Sequence, residues 1–276
     1  MEISYGKQPD VFAASVDKIA HLILADVRIG DITVPLVYDT GAAMTVVRES
    51  VAHKANLPIS DETVSGGGNA GGTVSGRSAT IKELVIGHTA IRRLPIAVVS
   101  DETLDFGKDE NGDDICVSGF LGWDVIQHFK WAFRAADRRF SLEKPDGPNT
   151  VHNMAEWDGM PLLRVRFQGE ERLFGFDTGN TESVIGKALY PFFEGSREIR
   201  DTFVGVDGTK DETVRIVENF AIEIDGCKIE LPNVAAVNRD VFPSGNPEVC
   251  GLLAADIIQG RNWMLDYGKR VFQICT

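Results

Sequence analysis

The chain has 276 residues, 43% of them apolar and 25% charged, ordinary values for one large globular domain or two smaller ones. Its 28 basic and 41 acidic side chains leave a formal charge of −13; with no basic stripe to neutralise phosphates, no nucleic-acid partner is expected. No apolar run approaches the ~20 residues that cross a bilayer, so no membrane partner is expected either.

Residues 1–10 are polar and lack the basic start and apolar core of a secretory signal, which predicts a cytoplasmic protein. Residues 22–29 (LILADVRI) predict a strand, Gly30-Asp31 a turn, and 34–37 a second strand that runs into Asp39-Thr40-Gly41-Ala42. A short helix is predicted near 48–56. The glycine-rich stretch 65–72 (SGGGNAGG) follows, then an apolar strand at 94–99. Residues 101–114 are acidic and faintly like a calcium loop, but the register is poor and the closing Glu is absent, so a solvated insertion is expected. A second short helix is predicted near 123–129. Two prolines and a glycine at 144–149 make the best linker, dividing the chain into lobes 1–146 and 147–276.

Past that linker the chain repeats itself. Residues 162–167, a Gln168-Gly169 turn and 173–176 again run into Asp-Thr-Gly, now Asp177-Thr178-Gly179-Asn180, and 177 − 39 places the two triplets 138 residues apart. The flanks agree: Thr45-Val46-Val47 matches Ser183-Val184-Ile185, residues 94–99 match 231–237, and 119–127 match 251–259. Trp131-Ala132-Phe133 likewise matches Trp263-Met264-Leu265. Blocks in one order at near-constant offset indicate an internal duplication. Short strands, frequent Gly and Asp-Gly turns and few helical periods predict an all-β fold.

Hydrolysis of a peptide bond by water needs a base for the water and an acid for the carbonyl oxygen and leaving amine. Two carboxylates about 3 Å apart supply both, because like charges that close share one proton, as the aspartic proteases illustrate. One Asp-Thr-Gly turn brings one carboxylate; this chain brings two.

These motifs resemble the pepsin and retropepsin-like aspartic protease superfamily over about residues 21–274, in a single-chain, bilobal, bacterial-type form. Asp-Thr-Gly-Ala followed by Thr-Val-Val is similar to the retroviral enzymes, and Phe120-Leu121-Gly122 matches the apolar-apolar-Gly element behind the catalytic turn, although Ala254 replaces the glycine in the second copy. The resemblance implies a bilobal acid-protease β-barrel fold with few short helices and the activity of an aspartic endopeptidase on peptide or protein substrates. It implies Asp39 and Asp177 as catalytic residues, Thr40 and Thr178 as interlocking supports, and Gly41 and Gly179 as offering backbone carbonyls, which accept hydrogen bonds, to substrate. Ala42, the flap residues Gly66, Gly67 and Gly68, and the second flap's Val206, Asp207 and Gly208 would meet substrate. Pepsin has a hydroxyl where Ala42 and Asn180 stand. The Asn180 side-chain amide is therefore expected to stabilise Asp177 alone, giving an uneven dyad, and Ala254 to set the Asp177 turn slightly farther from its buttress. Residues 1–18 are expected to be an outer strand of an inter-lobe sheet or a pro-segment.

Two other functions compete: an inactive peptide-binding pseudo-peptidase, and an actin or sugar-kinase type ATPase, whose phosphate loops also read Asp-x-Gly. Asp124 and Asp256, matched across the repeats, are read as caps or turns of short helices. Scattered histidines and four cysteines without ligand spacing predict no metal and no cofactor. A monomer is expected, since one chain supplies both triplets.

Overall fold

The burial of Ile23, Ala25, Val27 and Ile29, alternating with exposed Asp26 and Arg28, makes Ile23–Ile29 a strand with one wet face. Gly30, with φ +59, turns it into the hairpin partner Ile32–Tyr38. The second lobe repeats this with Met160–Phe167, a turn at Gln168 and Gly169 (φ +51 and +85), and Glu170–Phe176. The computed structural model describes residues 1–17, 21–68, 72–108, 111–145, 152–241 and 245–275. Most of the expected linker, at 146–149, therefore lies outside the described residues, as does the centre of the glycine-rich stretch, 69–71.

In each lobe the chain leaves one strand and returns on the far side of another. Gly119–Leu121 lies between Ile32–Tyr38, which it pairs in parallel (Leu121 opposite Tyr38), and Val46–Arg48, which it pairs antiparallel (Gly119 opposite Val47). Val249–Leu253 takes that position between Glu170–Phe176 and Val184–Ile185. The Asp-Thr-Gly loop is thus the span that vaults over the middle strand. Each sheet also curls back on itself, Ile23–Ile29 pairing with Thr73–Ile86 and Arg166 with Glu223, so the architecture is an all-β barrel pair. Among the described residues there is no alternation of strands with long helices of the kind an actin-type ATPase requires.

The predicted helices in the first lobe form, as Glu49–Lys54 and Trp123–Ile126. Their second-lobe counterparts are single 3-10 turns, Tyr190–Phe193 and Ala255–Ile257. Pro191 has no N–H to offer the first, and Gly260, at φ +69, turns the chain away shortly after the second.

The two repeats share a sheet. Lys130–Arg134 pairs with Arg139–Glu143 on one side and with Asn262–Asp266, from the far end of the chain, on the other; Val271–Cys275 lies beyond. Asp10–Val16 joins Arg139–Glu143 to Ile23–Ile29, so this strand is an interior member of the sheet and not the outer strand that the sequence suggested. Tyr38, Trp131, Phe140 and Trp263 pack face and edge above this seam, with centroids 5.0–5.4 Å from Tyr38, inside one apolar core that includes residues of both halves.

The Tyr38 ring is fully buried, and its hydroxyl has no partner among the described residues. A buried hydroxyl without a partner costs about 1–3 kcal/mol. Tyr38→Phe should keep the aromatic packing and leave the thermal midpoint unchanged or raised; a fall of several degrees in calorimetry would show that the hydroxyl is satisfied in solution.

Candidate active site

Asp39 and Asp177 sit at matching points, each just past a buried strand end and each held by two backbone donors. Gly41 N–H and Ala42 N–H donate to Asp39 Oδ1 at 2.8 and 3.0 Å. Gly179 N–H and Asn180 N–H donate to Asp177 Oδ1 at 3.0 and 3.2 Å. The two carboxyls are neighbours across the lobes: a Cβ added to Gly41 would lie 2.3 Å from Asp177 Cγ, and one added to Gly179 would lie 2.3 Å from Asp39 Cγ. Glycine is required here because each turn presses its backbone against the other turn's carboxylate.

Thr40 and Thr178 lie beneath, both buried, and exchange four bonds. Thr40 Oγ1 donates to the Phe176 carbonyl at 2.7 Å and accepts Thr178 N–H at 3.0 Å; Thr178 Oγ1 donates to the Tyr38 carbonyl at 2.6 Å and accepts Thr40 N–H at 3.0 Å. Every hydroxyl is used as donor and acceptor, and every bond crosses from one lobe to the other.

Burial is the main force raising the Asp39 pKa well above the ordinary carboxylate value; the neighbouring Asp177 charge adds to it, and the two backbone N–H donors oppose it. Two such groups this close titrate as a unit.

The expected role of the Asn180 side chain is not what the structure holds. Its Oδ1 accepts Thr181 N–H at 3.0 Å, and the bond to Asp177 comes from its backbone N–H, which Ala42 supplies equally well to Asp39. Each carboxylate therefore has two backbone donors of a kind that any residue type supplies. The replacement of Gly122 by Ala254 also displaces nothing: Asp39 N–H to Leu121 O is 3.0 Å and Asp177 N–H to Leu253 O is 2.9 Å. A Cβ at Gly122 would strike the Met44 backbone at 2.5 Å, so only the second lobe has room for alanine.

Asp124 and Asp256, read from sequence as helix caps or turns, instead tie down the loops that carry the dyad. Thr45 Oγ1 donates to Asp124 at 2.8 Å and accepts Gly122 N–H at 3.1 Å; Ser183 Oγ donates to Asp256 at 2.6 Å and accepts Ala254 N–H at 3.0 Å. With the Ala42 and Asn180 carbonyls accepting Trp123 and Ala255 N–H at 2.7 and 2.9 Å, each vaulting loop is fastened at both ends and in the middle. Their exact match across the two repeats was the signal that sequence offered for them. Desolvation raises the pKa of both carboxyls, against the bonds from Thr45 and Ser183.

The glycine-rich stretch and its counterpart are hairpins, Ile59–Gly67 with Thr73–Ile86 and Arg197–Gly205 with Gly208–Ile224. Their tips meet. Gly72 N–H donates to Asp207 Oδ2 at 2.6 Å, and a Cβ on Gly68 would fall 2.3 Å from Asp207 Cγ. Asp207, expected against substrate, is thus seated in the opposite hairpin's glycine loop, while the neighbouring Val206 packs on an apolar cluster of the first lobe. Gly66 is exposed with open space at its Cβ position, Gly67 is exposed, and Gly208, at φ +113, closes the second tip.

A family model described as "Aspartyl protease" matches residues 25–125. Among solved structures, the aspartic proteinase of Irpex lacteus superimposes with a TM-score of 0.60 at 14% identity, over 96% of this chain and 97% of that one. No sequence among curated proteins matches.

Two outcomes follow from this geometry. Thr178→Val keeps shape but leaves the Tyr38 carbonyl and Thr40 N–H unpaired, and should cost on the order of 1–3 kcal/mol for each group in urea denaturation. Because the Asp39 pKa is raised, the folded state keeps a proton that the unfolded chain has lost, so this group stabilises below the ordinary Asp range and its contribution is lost as pH rises above it. Asp39→Asn removes that titration, so the variant's thermal midpoint should gain on the wild type as pH rises from about 4 to 7; a constant difference across that range would refute the sign.

Proposed function

We propose that this chain belongs to the pepsin- and retropepsin-like aspartic protease superfamily and is an endopeptidase that hydrolyses peptide bonds in a cleft between its lobes. The observation that carries this reading is the reciprocal contact of each Asp-Thr-Gly glycine with the opposite lobe's carboxylate. It leaves two buried, backbone-held carboxyls side by side, close enough to share one proton.

In the reaction, the ionised carboxyl of the pair takes a proton from a water molecule as that water attacks the scissile carbonyl carbon. The protonated carboxyl gives its proton to the carbonyl oxygen, forming a tetrahedral diol. The first carboxyl then passes its newly gained proton to the amine nitrogen as the C–N bond breaks, and collapse of the diol returns the other proton to the dyad. The four backbone N–H donors fix carboxylate orientation, so no reorganisation is needed at the moment of transfer. The paired hairpins would cover an extended peptide. As one chain supplies both carboxyls, the enzyme would act as a monomer, and its substrates are peptides or unfolded segments of proteins.

The test is cleavage of an unstructured protein at pH steps between 3 and 7, with a statine-type transition-state mimic as inhibitor. Asp39→Asn and Asp177→Asn should each lower kcat/KM by at least about 10³-fold. Hydrolysis that survives either substitution would overturn the assignment.

A further inference from the structure

The backbone of the two active-site loops is duplicated faithfully, but their side chains are not, and the difference falls where substrate side chains would flank the dyad. After Gly41 come Ala42, Ala43 and Met44; after Gly179 come Asn180, Thr181 and Glu182. Ala42 and Asn180 occupy equivalent places, since the carbonyl of each accepts the matching N–H behind the loop, at 2.7 and 2.9 Å.

On the first lobe's side, Ala42 belongs to one continuous apolar cluster with Val46, Phe120 and Val99, completed by Val206 from the tip of the other lobe's hairpin. Met44, beside it, is 38% exposed. In the second lobe Leu252 and Val184, the matches of Phe120 and Val46, fall in two clusters of the described residues that half-buried Val241 packs against from both sides. Half-buried Asn180 stands where Ala42 joins its cluster together. The Asn180 Oδ1 is fixed by Thr181 N–H, which sets the rotamer, and its side-chain N–H groups have no partner among the described residues. A half-buried amide with unused donors penalises an aliphatic neighbour, which desolvates them without replacing the lost bonds, and favours one that offers an acceptor.

We infer that Asn180 is a specificity-determining residue: the subsite on the first lobe's side of the scissile bond takes an aliphatic side chain, and the equivalent subsite on the second lobe's side takes an uncharged hydrogen-bonding one such as glutamine, asparagine or threonine. The exposed Glu182 on the same loop disfavours an acidic occupant there. This inference rests on the proposed proteolysis for its meaning, but the subsite can be read without turnover.

The experiment uses the full chain and a positional-scanning library of extended peptides in two arms. In the first, cleavage is measured for wild type, Asn180→Ala and the reciprocal Ala42→Asn. In the second, binding of the same peptides to Asp39→Asn and to Asp39→Asn/Asn180→Ala is followed by fluorescence anisotropy. The wild type should prefer an aliphatic residue at one flanking position and an uncharged polar one at the other. Asn180→Ala should shift the polar position toward valine or leucine, moving the kcat/KM ratio about tenfold or more, and Ala42→Asn should impose polar preference on the aliphatic position. A wild type with aliphatic preference on both sides, or an unchanged ratio in Asn180→Ala, overturns the inference while leaving proteolysis intact. Absent cleavage together with an Asn180-dependent binding preference does the reverse.

Discussion

Two threonine hydroxyls hold the active centre together. Thr40 and Thr178 each donate to a carbonyl of the other lobe and accept an N–H from it, in four bonds of 2.6–3.0 Å sealed from water. Placing two carboxyls face to face is opposed by desolvation and by a repulsion of about 4 kcal/mol for full charges 4 Å apart at an effective dielectric of 20. Four buried bonds at about 1 kcal/mol net each are of the same size. The balance is met from both directions: the lattice resists separation, and sharing a proton removes most of the repulsion. Two carboxyls held this way share a proton.

The lattice works only because the strand ends beneath it are immobile. Asp39 and Asp177 follow the last residues of strands that pair in parallel with Gly119–Leu121 and Val249–Leu253, and those short strands continue into segments that fasten each loop from behind. Below, the sheet drawn from the N-terminus, the middle and the C-terminus of the chain joins the halves through backbone bonds and the aromatic packing of Tyr38, Trp131, Phe140 and Trp263. Cohesion between the repeats therefore resides in the seam of sheet and ring packing and in the threonine lattice. The matched tryptophans, one in each repeat, belong to this seam.

Duplication has preserved the backbone of the two loops and the side chains that bond across and behind them, and relaxed the side chains the loops turn outward. The carboxylate donors are backbone N–H groups, so alanine and asparagine serve alike beside the dyad. Thr45 and Ser183 differ by a methyl group yet make the same hydroxyl bonds to Asp124 and Asp256. Gly122 and Ala254 differ because a Met44 backbone crowds only the first. The chemistry thereby stays symmetric while the surfaces that would meet substrate diverge.

By itself the sequence determined the duplication, the all-β class, the strand-turn-strand unit before each triplet, and the pairing of Asp39 with Asp177. These are local patterns: alternating burial, glycine and asparagine-type turns, and a motif whose chemistry demands two copies. The Thr40 and Thr178 lattice was also legible, but other contacts that depend on which group of a residue faces which neighbour came out differently. Asn180 was expected to act through its side chain and acts on Asp177 through its backbone; Asp207 was expected against substrate and sits in the glycines of the opposite hairpin; Asp124 and Asp256 looked like caps and are anchors. The N-terminal segment became an interior strand only when its partners, more than a hundred residues away, were in place. Side-chain periodicity reports which face is buried, but not what lies on the other side of it. That was decided by the long-range packing of two lobes against one another, where a carboxylate finds its donors in a segment no local pattern connects to it.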